Sequence, residues 1–117
     1  MYEGTVVLCV SNAYEKKYYL NEDFEVLPKA IKDELKIMCV LFTEDVGGIL
    51  SLVYEEDGTL LFRVDADEGD LLYDEIGSAL LIKKLQEEKK ELLESLELYF
   101  KVFFLGEDAG KLIVPGY

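Results

Sequence analysis

The chain has 117 residues, 25 acidic against 12 basic, giving a formal net charge of -13, and it contains no histidine. That balance repels nucleic-acid phosphates and anionic membranes, and the missing imidazole removes the usual neutral-pH general base and the commonest metal ligand. Half of the residues are hydrophobic, which excludes the acidic disordered class, and the length suits a single α+β domain over residues 1–105 with a short tail, 106–117.

The start, Met1-Tyr2-Glu3-Gly4-Thr5, lacks the basic region of a signal peptide. No apolar run approaches the roughly 20 residues that span a bilayer, so a cytoplasmic location is expected. Residues 5–10, Thr-Val-Val-Leu-Cys-Val, are β-branched and apolar and predict a central strand. Ser11-Asn12-Ala13 then reads as a turn. In 14–20 alternation places Tyr14, Lys16, Tyr18 and Leu20 on one face, as in a hairpin partner. Asn12 followed by Glu15 also resembles a capping pair for a short helix, and the strand is the preferred reading because tyrosine suits a pleated surface.

Residues 21–26 read as a polar connector. A helix begins near Pro28, whose fixed φ and absent N–H suit a first turn. Its buried stripe is Leu27, Ile31, Leu35, Met38 and Phe42, widened by Ala30, Ile37 and Leu41. From Ile37 to Phe42 it is apolar on nearly every side, so another element is expected to cover that end. Gly47-Gly48 stops it. Segments 49–55 and 59–65 flank Asp57-Gly58, the pair favoured by a type I′ hairpin turn. Leu50, Leu52, Tyr54, Leu60, Phe62 and Val64 face the core, and Ile49, Val53 and Leu61 leave the outer face half apolar.

A long helix is expected from near Leu71 to about Leu105, capped by Asp70 and open to a break at Gly77-Ser78, where glycine weakens a helix interior. Residues 86–91 are polar without interruption. The expected fold is therefore ββαββα, an antiparallel sheet of about four strands packed by two helices. A 35-residue terminal helix would reach about 50 Å, so it either kinks or projects. The stripe Leu92, Leu96, Tyr99 and Phe103 makes self-association through its far half the preferred reading.

The charge is uneven. Residues 44–77 hold 11 acidic side chains and Arg63 as the only base, whereas the flanking segments are nearly balanced. Asp65, Asp67, Glu68, Asp70, Asp74 and Glu75 crowd oxygens as a hard-cation loop does. The calcium-loop register fails, because position 12 counted from Asp65 is Ile76. Cys9 and Cys39 lie in apolar runs and read as buried free thiols, without the histidine that nucleophilic catalysis or a zinc site would need. Gly47-Gly48 lacks the spacing and the Lys-Ser/Thr of a phosphate loop. Tyr14, Tyr18 and Tyr19, interleaved with Lys16 and Lys17, form the one aromatic–basic cluster and read as anchors for a protein partner or as sheet packing.

The stretches Ala13–Asn21, Met38–Gly48 and Leu72–Ser78 resemble a family of small acidic proteins of unknown function from anaerobic Gram-positive bacteria. The resemblance covers most of residues 1–105 and implies a bacterial cytoplasmic protein, with no activity, cofactor or catalytic residue to transfer. From the residues themselves the leading expectation is a non-enzymatic protein-binding or adaptor domain, self-associating and without a cofactor. Its acidic centre would meet a basic protein partner. The alternatives are a small carboxylate-based, divalent-metal-dependent hydrolase, with Asp65, Asp67 and Asp70 as weak ligand candidates, and an acidic mimic of nucleic acid.

Overall fold

In a computed structural model, residues 5–106 fold as β1 (Val6–Asn12), β2 (Lys17–Leu20), a single 3-10 turn (Glu22–Phe24), α1 (Lys29–Val46), β3 (Ile49–Tyr54), β4 (Leu60–Asp65), α2 (Glu75–Glu88) and α3 (Lys90–Phe103). The four strands form one antiparallel sheet in the order β2-β1-β3-β4. The α+β class and the central position of the first strand are as expected. The order is β-β-α-β-β-α-α, with three helices in place of two.

The extra helix comes from a break at Lys89, whose φ of -108° and ψ of 23° leave the helical region. The break falls inside the polar run 86–91, where no apolar contact rewards continuing the helix, and not at Gly77-Ser78. Gly77 instead sits in the first turn of α2, where its N–H donates to Asp74 Oδ1 at 2.8 Å. Asp74 is thus the N-cap, and α2 starts at Glu75; Asp70 lies in the preceding loop. Because the chain turns at Lys89, α3 folds back along the sheet and does not project.

One face of the sheet carries the core. Leu8, Cys9, Leu50, Leu52, Tyr54 and Leu60 pack against Leu35, Met38, Cys39 and Phe42 of α1 and Leu92, Leu96 and Phe100 of α3. A register shift between Val7 and Cys9 puts Leu8 and Cys9 both inside. Tyr54 stacks on Phe100 with centroids 4.1 Å apart, and its hydroxyl donates to the Leu96 carbonyl at 2.8 Å. Phe24 stacks on Tyr54 and Phe104. Each such side chain contributes roughly 1.5–3 kcal/mol on burial. The connector 21–26 therefore holds a core residue, which its polar neighbours concealed.

Local chemistry explains the turns. Gly47 and Gly48, at φ 83° and 76°, end α1, and a Cβ on Gly48 would stand 2.8 Å from the Asp65 carbonyl oxygen. At the β3–β4 hairpin Gly58 has φ 91° while Asp57 has negative φ, so the type I′ geometry is absent. The Gly58 N–H instead donates to the Glu55 carbonyl and the Glu55 N–H to the Thr59 carbonyl, a wider turn. Asp57 shapes it by accepting from the Thr59 N–H. Residues 13–16 form the β1–β2 turn, so 17–20 is strand and not helix. The tail beyond residue 106 lies outside the described residues.

Candidate functional site

Helix α1 lies over β1 and β3 and leaves a cleft along each flank. On the side facing α2, Ala30, Ile37 and Leu41 of α1 and Leu81 and Leu85 of α2 line an apolar groove of about 700 Å³. Ile37 and Leu41 are each 58% exposed. The cover expected over this end of the helix is therefore absent among the described residues. The spacing of 30, 37 and 41 places them beside the core stripe, on the open edge of α1. Leu80 and Ile76 of α2 are also exposed, at 64% and 76%, outside the groove lining.

The rim of this groove is charged. Asp33, Glu34, Asp45 and Glu88 stand against two lysines, Lys84 and Lys89. Both lysines have carboxylate partners: Lys89 Nζ lies 3.3 Å from Glu34 and Lys84 Nζ 4.0 Å from Glu88. Asp33 is paired with Lys29 on the outer side of the helix. Asp45 has no ion pair among the described residues, and the rim keeps a negative excess.

The acidic loop between β4 and α2 sits at the C-terminal end of α1. Asp65, Asp67, Glu68, Asp74 and Glu75 are exposed, and Asp70 is half-buried. The loop is fixed by Tyr14, whose hydroxyl donates to Asp70 Oδ2 and accepts from the Asp67 N–H at 2.9 Å. The hydrogen bond from Tyr14 holds the Asp70 carboxyl below its ordinary range, helped by the Leu72 N–H, and it raises the Tyr14 phenol. The sequence names Tyr14 and Asp70 separately as candidates for partner contact, and the structure joins the two by a hydrogen bond. It also shows Leu71 and Leu72 almost wholly exposed beside them, apolar positions that reading assigned to a helix start. Among the described residues no three Cys, Asp or Glu side chains are grouped to hold a metal ion, so Asp65, Asp67 and Asp70 do not converge.

The other expected surfaces are placed differently. Leu92 and Leu96 are 5% and 1% exposed and belong to the core. Tyr99 packs partly against that core, and Phe103 alone of the four is open, at 70%. Leu92, Leu96 and Tyr99 thus face the chain's own sheet, so among the described residues the stripe is not a free seam for a second copy. The three tyrosines also separate. Tyr14 tethers the loop, Tyr19 stands half-exposed on the outer sheet face, and Tyr18 turns under α1. Burial raises the Tyr18 phenol far above its ordinary value, and its oxygen has no hydrogen-bond partner among the described residues.

Cys9 and Cys39 are buried free thiols, as expected, with sulfurs 3.8 Å apart. Beside them the Ser11 and Thr43 hydroxyls share a buried 2.8 Å hydrogen bond between β1 and α1. This second flank of α1, toward the sheet edge, opens into a cleft of about 600 Å³.

The sequence profile of a family of unknown function, DUF6145, matches residues 5–108. The chain belongs to that family. The match spans every described strand and helix of this DUF6145 chain, so both flanks of α1 and the tethered acidic loop lie inside it. No curated protein and no solved structure matches the chain. No described helix is long and apolar enough to cross a membrane.

Proposed function

We propose that this is a non-enzymatic protein-binding domain whose groove between α1 and α2 receives a basic amphipathic helix from a partner protein. The observation that carries the reading is the exposed apolar pair Ile37 and Leu41, facing Leu81 and Leu85 of α2 inside an acidic rim. An apolar floor supplies affinity to a helix that docks i, i+3, i+4 anchors into it, and the carboxylates select for lysine and arginine on the helix shoulders. The acidic loop 66–74 extends the same field and raises the encounter rate with a basic partner. A second copy of this chain, at -13, meets that rim with like charge. The occupant is therefore a different, basic protein.

The test uses an 18-residue synthetic Leu/Lys amphipathic helix as probe, read by fluorescence anisotropy. The native chain binds it, and binding weakens several-fold as salt rises from about 50 to 500 mM. Leu41→Glu lowers affinity about tenfold or more, the magnitude of a central anchor. Equal binding of a Leu/Glu helix of the same pattern, or an affinity untouched by Leu41→Glu, refutes the proposal.

A further inference from the structure

The cleft on the other flank of α1 has the opposite charge. It lies between the short edge strand β2 and α1, because α1 covers β1 and β3 and leaves the inner side of β2 only partly roofed. Lys16 and Lys17 of the β1–β2 hairpin and Lys36 of α1 line it, against the single carboxylate of Glu44. None of the three lysines forms an ion pair among the described residues, whereas both groove lysines do. A net positive cluster in a chain carrying -13 is a local reversal of the field. Lys36 Nζ lies 6.0 Å over the Tyr18 ring, which orients the ammonium along the cleft wall.

Asn12 adds a directed donor. Its Oδ1 accepts the Tyr14 and Glu15 N–H groups at 2.9 and 3.1 Å, so its carboxamide is fixed with the oxygen turned into the hairpin. The NH₂ end is left to donate elsewhere, and Asn12 lines the cleft. Lys16 is held at φ 55°, a left-handed turn position that sets the direction in which the hairpin presents its side chains. The C-terminal half of α1, which forms the far wall, carries the negative end of the helix dipole. Attraction for an anion therefore rests on the side chains.

We propose that this cleft binds a phosphorylated small molecule bearing hydroxyl groups. Ammonium groups act as point charges on a multiply charged phosphate, with several oxygens to share among the three lysines and the Asn12 amide. The cleft holds much more than a bare phosphate, and Tyr18 and Val40 give an apolar wall for an organic body. Glu44 supplies an acceptor for a hydroxyl.

Isothermal titration with glucose 6-phosphate, inorganic phosphate and glucose tests this on the full chain at low salt. Glucose 6-phosphate is expected to bind at least about tenfold tighter than glucose. Lys36→Gln is expected to weaken it about tenfold, and the Lys16→Gln/Lys17→Gln double variant further. Lys83→Gln/Lys90→Gln removes the same charge elsewhere and leaves affinity within about twofold. No saturable binding of the sugar phosphate, binding of inorganic phosphate alone, or equal losses in the control variant each overturn the proposal. These lysines are exposed, so the variants fold, and a circular dichroism spectrum and melting curve verify it.

Discussion

Leu41→Ala and Leu96→Ala remove the same atoms from two helix positions with opposite surroundings. Leu96 is 1% exposed and sits among Tyr54, Leu60 and Phe100, so truncation loses the full transfer energy and leaves a cavity, about 2–5 kcal/mol. Leu41 is 58% exposed, so only about two-fifths of its side chain is removed from water. That amounts to roughly 0.5–1 kcal/mol, offset by a few tenths from alanine's higher helix propensity. For a chain of this length 1 kcal/mol moves Tm by about 3–6 °C. Leu96→Ala is expected to lower Tm by about 10 °C or more and Leu41→Ala by about 3 °C or less, with urea midpoints shifting in parallel at unchanged m. A loss above about 2 kcal/mol for Leu41→Ala would refute the open groove, since it would mean that the leucine is covered in solution.

Three further expectations follow from the tether and the thiols. Tyr14→Phe removes both hydroxyl contacts to the acidic loop, so amides around 67–72 should exchange faster while the amides of β1 and β3 keep their protection. Asp70 is depressed chiefly by Tyr14. Its stabilising contribution is therefore present above the ordinary carboxylate pKa of about 3.9 and fades as pH falls through the lowered value. The native chain should accordingly lose more loop protection than Tyr14→Phe as pH falls below about 4. Cys9 and Cys39 should resist a thiol-reactive disulfide reagent in the native state, because both are buried and their mutual hydrogen bond and burial raise the Cys39 thiol well above its ordinary pKa. Their labelling rate should track global unfolding in urea, and fast labelling of folded chain would contradict the burial.

Periodicity made much of the fold readable, because α1 shows its core stripe at Leu27, Ile31, Leu35, Met38 and Phe42 and the hairpins show alternation. The same signal misled at Ile37 and Leu41, where apolar side chains looked like core positions awaiting a cover. Sequence spacing reports which residues share a face, but not where the neighbouring helix lies across it. The break at Lys89 was visible as a polar run, yet glycine at 77 drew the expected break because propensity says nothing about caps made by Asp74. Phe24 was hidden by its neighbours, one aromatic among acids, and only tertiary stacking on Tyr54 and Phe104 identifies it. The positive cleft was half legible. Lys16 and Lys17 interleave with tyrosines, but Lys36 is nineteen positions away and joins them only through the sheet edge.

The two borders of the sheet are defended unequally. At the β4 border the Leu60 N–H, directed away from β3, donates at 2.8 Å to Glu97 Oε2 of α3. A carboxylate from a covering helix occupies the first position at which a foreign strand would pair. Pairing by a foreign strand is thereby opposed at Leu60, and the opposite border is the four residues Lys17–Leu20. That border is short and begins with a lysine, so continuous ladders from chain to chain, and the fibrous deposits they seed, have little backbone on which to start.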